Sequence, residues 1–125
     1  MINTPAVLLF GFSQGEAVQL EALLPGSPVR VISVPDHAWS LTLEQLLEGK
    51  TPPALAAAVR PEPKMAVFAF VPTPMLHYLL AACGQVTGNQ KVLRAVLTDS
   101  NRTWTALELH SHLLEEDLAL RGKQT

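Results

Sequence analysis

The run from Leu93 to Glu108 constrains the fold more than any other stretch of this chain. An apolar segment, Leu93-Arg94-Ala95-Val96-Leu97, reads as a buried strand. A polar turn, Thr98-Asp99-Ser100-Asn101-Arg102, follows, and then Trp104. Thr105-Ala106-Leu107-Glu108 has capping-box spacing, in which the Thr hydroxyl and the Glu carboxylate each cap a backbone amide at a helix start. A weaker copy runs from Val29 to Gln45, with Trp39 in the place of Trp104. A chain that writes strand, turn, Trp and helix twice is expected to be an internally duplicated α/β domain.

The rest of the chain fits that frame. Ala6–Phe12 and Met65–Val71 are continuous apolar runs, as suits strands covered on both faces. Ser13 and Glu16 form another capping box, opening a helix with Ala17, Val18, Leu20, Leu23 and Leu24 on its apolar side and Pro25-Gly26 at its end. A short helix follows Trp39, carrying Leu41, Leu43, Leu46 and Leu47 and stopping at Gly49. Pro72-Thr73-Pro74 starts a third helix, with Thr73 as cap and Gly84 and Gly88 closing it. The last helix is expected to reach about Leu120, with 121–125 frayed. The order is βαβα, linker, βαβα: repeat one at 6–49, a Pro-rich linker at 50–64, repeat two at 65–120, in a single domain spanning 1–125. Aligning Trp39 with Trp104 pairs Asp36 with Asn101. The expected fold is α/β, with one four-stranded sheet and helices packed on it. The sequence leaves open whether the two halves join parallel or antiparallel. The favoured arrangement puts the two N-terminal strands side by side at the centre, where a pseudo-two-fold would make them antiparallel and the sheet mixed.

At this point the second half resembles DUF3783, a family of small bacterial domains without an assigned activity. Its typical members are short βαβα units with a Lys/Arg-Ala-Val-Leu-Thr strand, then Pro-Thr-Asn, then Trp-Thr before a helix rich in Leu and Glu. Here those positions read Arg94-Ala95-Val96-Leu97-Thr98, then Asp99-Ser100-Asn101, then Trp104-Thr105. Asp99 stands where the family has Pro, and the family's Gly-Phe appears in the first half as Gly11-Phe12. The resemblance covers Met65 to Asp117, with the first half a faint duplicate. It implies a βαβα fold and a bacterial source, and names no reaction.

Composition limits the function classes. At 125 residues and 48% hydrophobic, the chain can bury a substantial core. Its net charge of -2 provides no basic field for nucleic acid. Residues 1–63 hold three basic against six acidic residues, and 64–125 hold six against five, an asymmetry that suits association between copies. Cys83 is the only cysteine, which excludes an intrachain disulfide and fits a reducing compartment. The first residues lack the basic start of a signal peptide, and no apolar run reaches membrane-span length. The expectation is a soluble cytoplasmic protein with neither nucleic acid nor membrane as partner.

The candidate chemistry is sparse. Ligands of open α/β sheets bind outside the carboxyl ends of strands, beside helix N-termini. That rule singles out Asp36 and His37 after the second strand, and Asp99, Ser100, Asn101 and Arg102 after the fourth, with Arg102 as an anion contact. The plainer reading is turn chemistry, because Asp, Ser and Asn bond nearby backbone. Trp39 and Trp104 are expected to anchor the loop-to-helix junctions, Trp104 at least as strongly as Trp39. The histidines lack metal spacing: His110 and His112 are two apart, whereas a helical zinc pair is four apart. Cys83 lies near a helix C-terminus and reads as structural. No catalytic residue, metal or cofactor is assigned. The expected function is a non-catalytic protein-interaction or regulatory module, with a small-ligand-binding domain as the alternative. His110 lies within the apolar stripe of the final helix and reads as a satisfied core or interface residue, with a pH-sensitive contact as the sharper alternative. Self-association is expected through the third or final helix.

Overall fold

The computed structural model describes residues 4–24, 29–52, 58–59, 61–88 and 90–123. The two continuous apolar runs form its central strands, Ala6–Phe10 (β1) and Lys64–Ala69 (β3). Arg30–Val34 (β2) and Val92–Val96 (β4) flank them, giving one sheet of order β2-β1-β3-β4. Each outer strand is parallel to its inner neighbour, and β1 and β3 are antiparallel. The sheet is therefore mixed. All of β1 and Met65 to Ala69 of β3 are buried, while β2 and β4 are partly exposed.

Alternation along the inner strands divides the interior into two layers. Val7, Leu9, Ala66 and Phe68 face a core shared with the helices Gln14–Ala22 (α1) and Thr73–Thr87 (α3). Leu8, Phe10, Met65 and Val67 face a core shared with Leu43–Leu47 (α2) and Ala106–Lys123 (α4). Most helical stability comes from such packing, since α2 is far too short to hold alone.

Local sequence sets the helix ends. The Ser13–Glu16 capping box forms, with the Ser13 amide 2.8 Å from the carboxylate and the Glu16 amide 3.1 Å from the hydroxyl. Gly88 closes α3 in the left-handed region (φ 64), and Gly84 lies inside that helix. Some expectations are corrected. Pro72, not Thr73, is the cap residue of α3, and no side chain caps it. Val18 is 59% exposed, because Ala17 and Leu20 alone turn the short α1 onto the sheet. β4 starts at Val92, β3 takes Lys64 from the linker, and α4 continues past Leu120 to Lys123. Pro25-Gly26, residues 53–57 of the linker and the last two residues lie outside the described residues.

The pairing of the halves corrects the alignment on tryptophan. Thr42 and Thr105 form an antiparallel bridge between the segments leading into α2 and α4. Both are helix caps, and they stand 63 residues apart (42 to 105). Four backbone hydrogen bonds surround that bridge in two matched pairs. The Leu43 amide donates to Trp104 O (3.0 Å) and the Ala106 amide to Leu41 O (3.1 Å). The Glu44 amide donates to Arg102 O (2.9 Å) and the Leu107 amide to Trp39 O (3.2 Å). In this register Trp39 matches Arg102, Trp104 matches Leu41, and Asp36 matches Asp99 rather than Asn101.

Candidate functional site

The turn after β2 is built on Pro35. Asp36–Ala38 form a single 3₁₀ turn, and the Asp36 carbonyl accepts the Val59 amide at 2.9 Å. His37 is exposed, whereas Ala38 and Trp39 are buried. The Trp39 ring packs against Phe10 (centroids 5.0 Å apart) and stands edge-on to His110 (5.5 Å). Its Nε1–H is buried with no acceptor among the described residues, a cost that the ring's packing must outweigh.

The turn after β4 is built on Asn101, which is buried at 8% exposure. Its Oδ1 accepts the Thr98 amide (2.8 Å), its Nδ2 donates to Val96 O (3.1 Å), and its own amide donates to the Thr98 hydroxyl (3.1 Å). Asp99, Ser100 and Arg102 are exposed. Trp104 is only partly buried and lies edge-on to His112, centroids 5.2 Å apart.

The candidate ligand residues do not converge. β2 and β4 sit on opposite edges of the sheet and run in opposite directions, so their carboxyl ends lie at opposite corners. Asp36 and His37 are at one corner and Asp99 to Arg102 at the other. The helix N-termini beside them are also engaged. At α2, Leu43 and Glu44 donate across the bridge, and Gln45 donates to the Thr42 hydroxyl. At α4, Ala106 and Leu107 donate across the bridge, and Glu108 donates to the Thr105 hydroxyl. The first-turn amides that attract an anion at a free helix end therefore already hold backbone or side-chain oxygens.

His110 stands in the core and not at a surface contact. It is 3% exposed, and its Nε2–H donates to Pro63 O at 2.8 Å, which ties α4 to the start of β3. Its place in the leucine stripe is explained by that hydrogen bond and by the Trp39 ring. Cys83 is buried, and burial pushes its thiol up despite the Arg94 charge, so it stays a protonated, unreactive side chain.

One cluster escaped sequence reasoning. Lys64 Nζ holds both Glu16 carboxylate oxygens (2.8 and 2.7 Å) and Gln90 Oε1 (3.0 Å). It lies 5.7 Å from the Phe12 ring centroid. Burial pushes the Glu16 carboxyl up, but Lys64 and Ser13 outweigh it and hold its pKa below the ordinary value. The ion pair pins the N-terminus of α1 to β3 and leaves the ammonium no donor for a ligand. Beside it a shallow groove of about 570 Å³ runs between Pro63, Lys91, Leu114 and Leu118, crossed by a Lys91–Asp117 ion pair of 2.7 Å.

Among the described residues, no group of three or more His, Cys, Asp or Glu side chains is placed to hold a metal. None of the described helices is long and apolar enough to cross a membrane. No family model, curated protein or solved structure matches this chain.

Proposed function

We propose that this chain is a non-catalytic protein-interaction or regulatory module, built from two copies of a βαβα unit of the DUF3783 type. It works in the bacterial cytoplasm, on a second copy of itself or on another protein. One observation carries the reading: where the polar and apolar groups end up. The first-turn amides of α2 and α4 and the Asn101 side-chain amide are engaged inside the fold, whereas Val18, Phe70, Tyr78, Val96 and Leu118 are left exposed. Large apolar side chains in water favour association over catalysis. Self-association would use α3, where Tyr78 is 54% exposed, rather than the buried His110.

Native mass spectrometry of the chain purified from its source cells, with analytical ultracentrifugation at high micromolar concentration, tests this. The expected result is a protein–protein assembly without a retained small molecule. A small molecule retained at one per chain would favour the alternative, a ligand-binding domain using the exposed His37, Asp99, Ser100 and Arg102.

A further inference from the structure

The outer edge of β4 carries an unused row of backbone groups. The Leu97 amide donates inward to Phe68 O at 2.9 Å. In a parallel ladder the inward and outward residues alternate, so Leu93, Ala95 and Leu97 point to β3 while Val92, Arg94 and Val96 point away. At the end of this edge Asn101 acts as a substitute neighbour. Its side-chain amide donates to Val96 O and accepts from the Thr98 amide, the two bonds that a residue of an adjacent parallel strand would make. Short of that point, the Arg94 amide and carbonyl and the Val96 amide have no partner among the described residues.

The side chains along this edge define what fits. Arg94 and Val96 project to the α3 side and are exposed, Val96 by 49%. On the α4 side a shallow groove beside the edge is lined by Leu113 and Glu116. A second β4 is a poor occupant, because antiparallel self-pairing centred on the strand sets Arg94 against Arg94. An acidic residue there would be complementary. We propose that the β4 edge binds an extended segment of a partner protein as a fifth strand. That segment alternates an acidic side chain, set beside Arg94, with an apolar one set over Leu113. The proposal rests on the interaction-module reading and names its surface and partner class. The β2 edge is less open: only Val31 and Ser33 point outward, and Pro35 ends it without an amide.

Selection of a random seven-residue peptide library against the full chain tests the proposal. The peptides enriched should alternate acidic and apolar residues, and a synthetic one should shift the Arg94 and Val96 amide resonances most. Arg94→Glu should weaken it at least tenfold, and a peptide with Lys in place of the acid should recover binding to that variant. Val96→Pro removes one outward donor without touching the ladder and should also weaken binding severalfold, with the melting temperature checking that each variant folds. No enrichment, binding unaffected by Arg94→Glu, or a dimer through β4 would overturn the proposal. Enriched peptides that shift α1 and α3 instead would overturn it while leaving the interaction reading intact.

Discussion

Pro35 and Thr98 occupy matching positions in the two halves, and they solve one problem in different ways. Pro35 comes one residue after β2 and Thr98 two after β4, each where an outward amide would face water beside an open sheet edge. In the first half proline removes that amide. In the second half the Thr98 amide remains, and Asn101 covers it from three residues on. Ala38, the residue matching Asn101, is a buried apolar side chain, and the ring that follows it, Trp39, fills the core. The second half therefore holds its turn by hydrogen bonds and the first by apolar volume. The same topology is reached with different chemistry, and the tryptophans are not counterparts.

The largest test of that contrast is Trp39→Ala. It should destabilise by about 3–5 kcal/mol in urea melts, the range for a fully buried aromatic. Trp104→Ala should cost only about 1–2 kcal/mol, because its ring is partly exposed. Equal losses would restore the tryptophans to equivalence. Trp39→Phe should cost clearly less than Trp39→Ala, since both remove the indole N–H that has no acceptor among the described residues but Phe keeps a ring beside Phe10 and His110.

Asn101→Ala is next. It leaves the Thr98 amide and the Val96 carbonyl without their partner and should cost about 1–3 kcal/mol. Combining it with Thr98→Pro, which installs the first half's solution, should cost less than Asn101→Ala alone. An additive loss would mean that the two turns are not interchangeable.

Thr42→Ala and Thr105→Ala should each cost about 1 kcal/mol, the usual value for a lost N-cap hydroxyl. Because both caps meet at one bridge, the double variant should depart from additivity.

The smallest effect is the pH dependence of the Glu16–Lys64 pair. The folded pKa of Glu16 lies below the unfolded value of about 4.3. Its contribution is thus complete above that value and is lost as pH falls through the folded pKa. The stability gap between the native chain and Lys64→Met should narrow between pH 6 and pH 3 in urea melts. A gap that stays constant would assign Lys64 a packing role alone.

What was legible in the sequence was local. Capping boxes at Ser13 and Thr105 involve partners three residues apart, and the apolar runs of β1 and β3 declare burial on both faces. The antiparallel pairing of β1 and β3 was not legible, because nothing local to either strand sets its direction relative to the other. The register was misread because tryptophan is conspicuous and threonine is not, yet the Thr42 and Thr105 caps set it. Lys64 and Glu16 are 48 residues apart, so neither could announce the other. Asn101 read correctly as a turn residue, but its cover over the β4 edge depends on which carbonyl faces outward, and only the sheet decides that. The ligand reading of Asp36, His37 and Asp99 to Arg102 treated the two strand ends as similar sites. The antiparallel centre of the sheet places them at opposite corners.

The central claim is that the N-terminal amides of α2 and α4 hold the two halves together and are not open to a ligand. Hydrogen exchange of the Leu43, Glu44, Ala106 and Leu107 amides, with and without inorganic phosphate, measures this directly. The four should exchange slowly, at similar rates, and phosphate should leave them unchanged. Fast exchange that phosphate slows would contradict the account and return these helix ends to the role of a binding site.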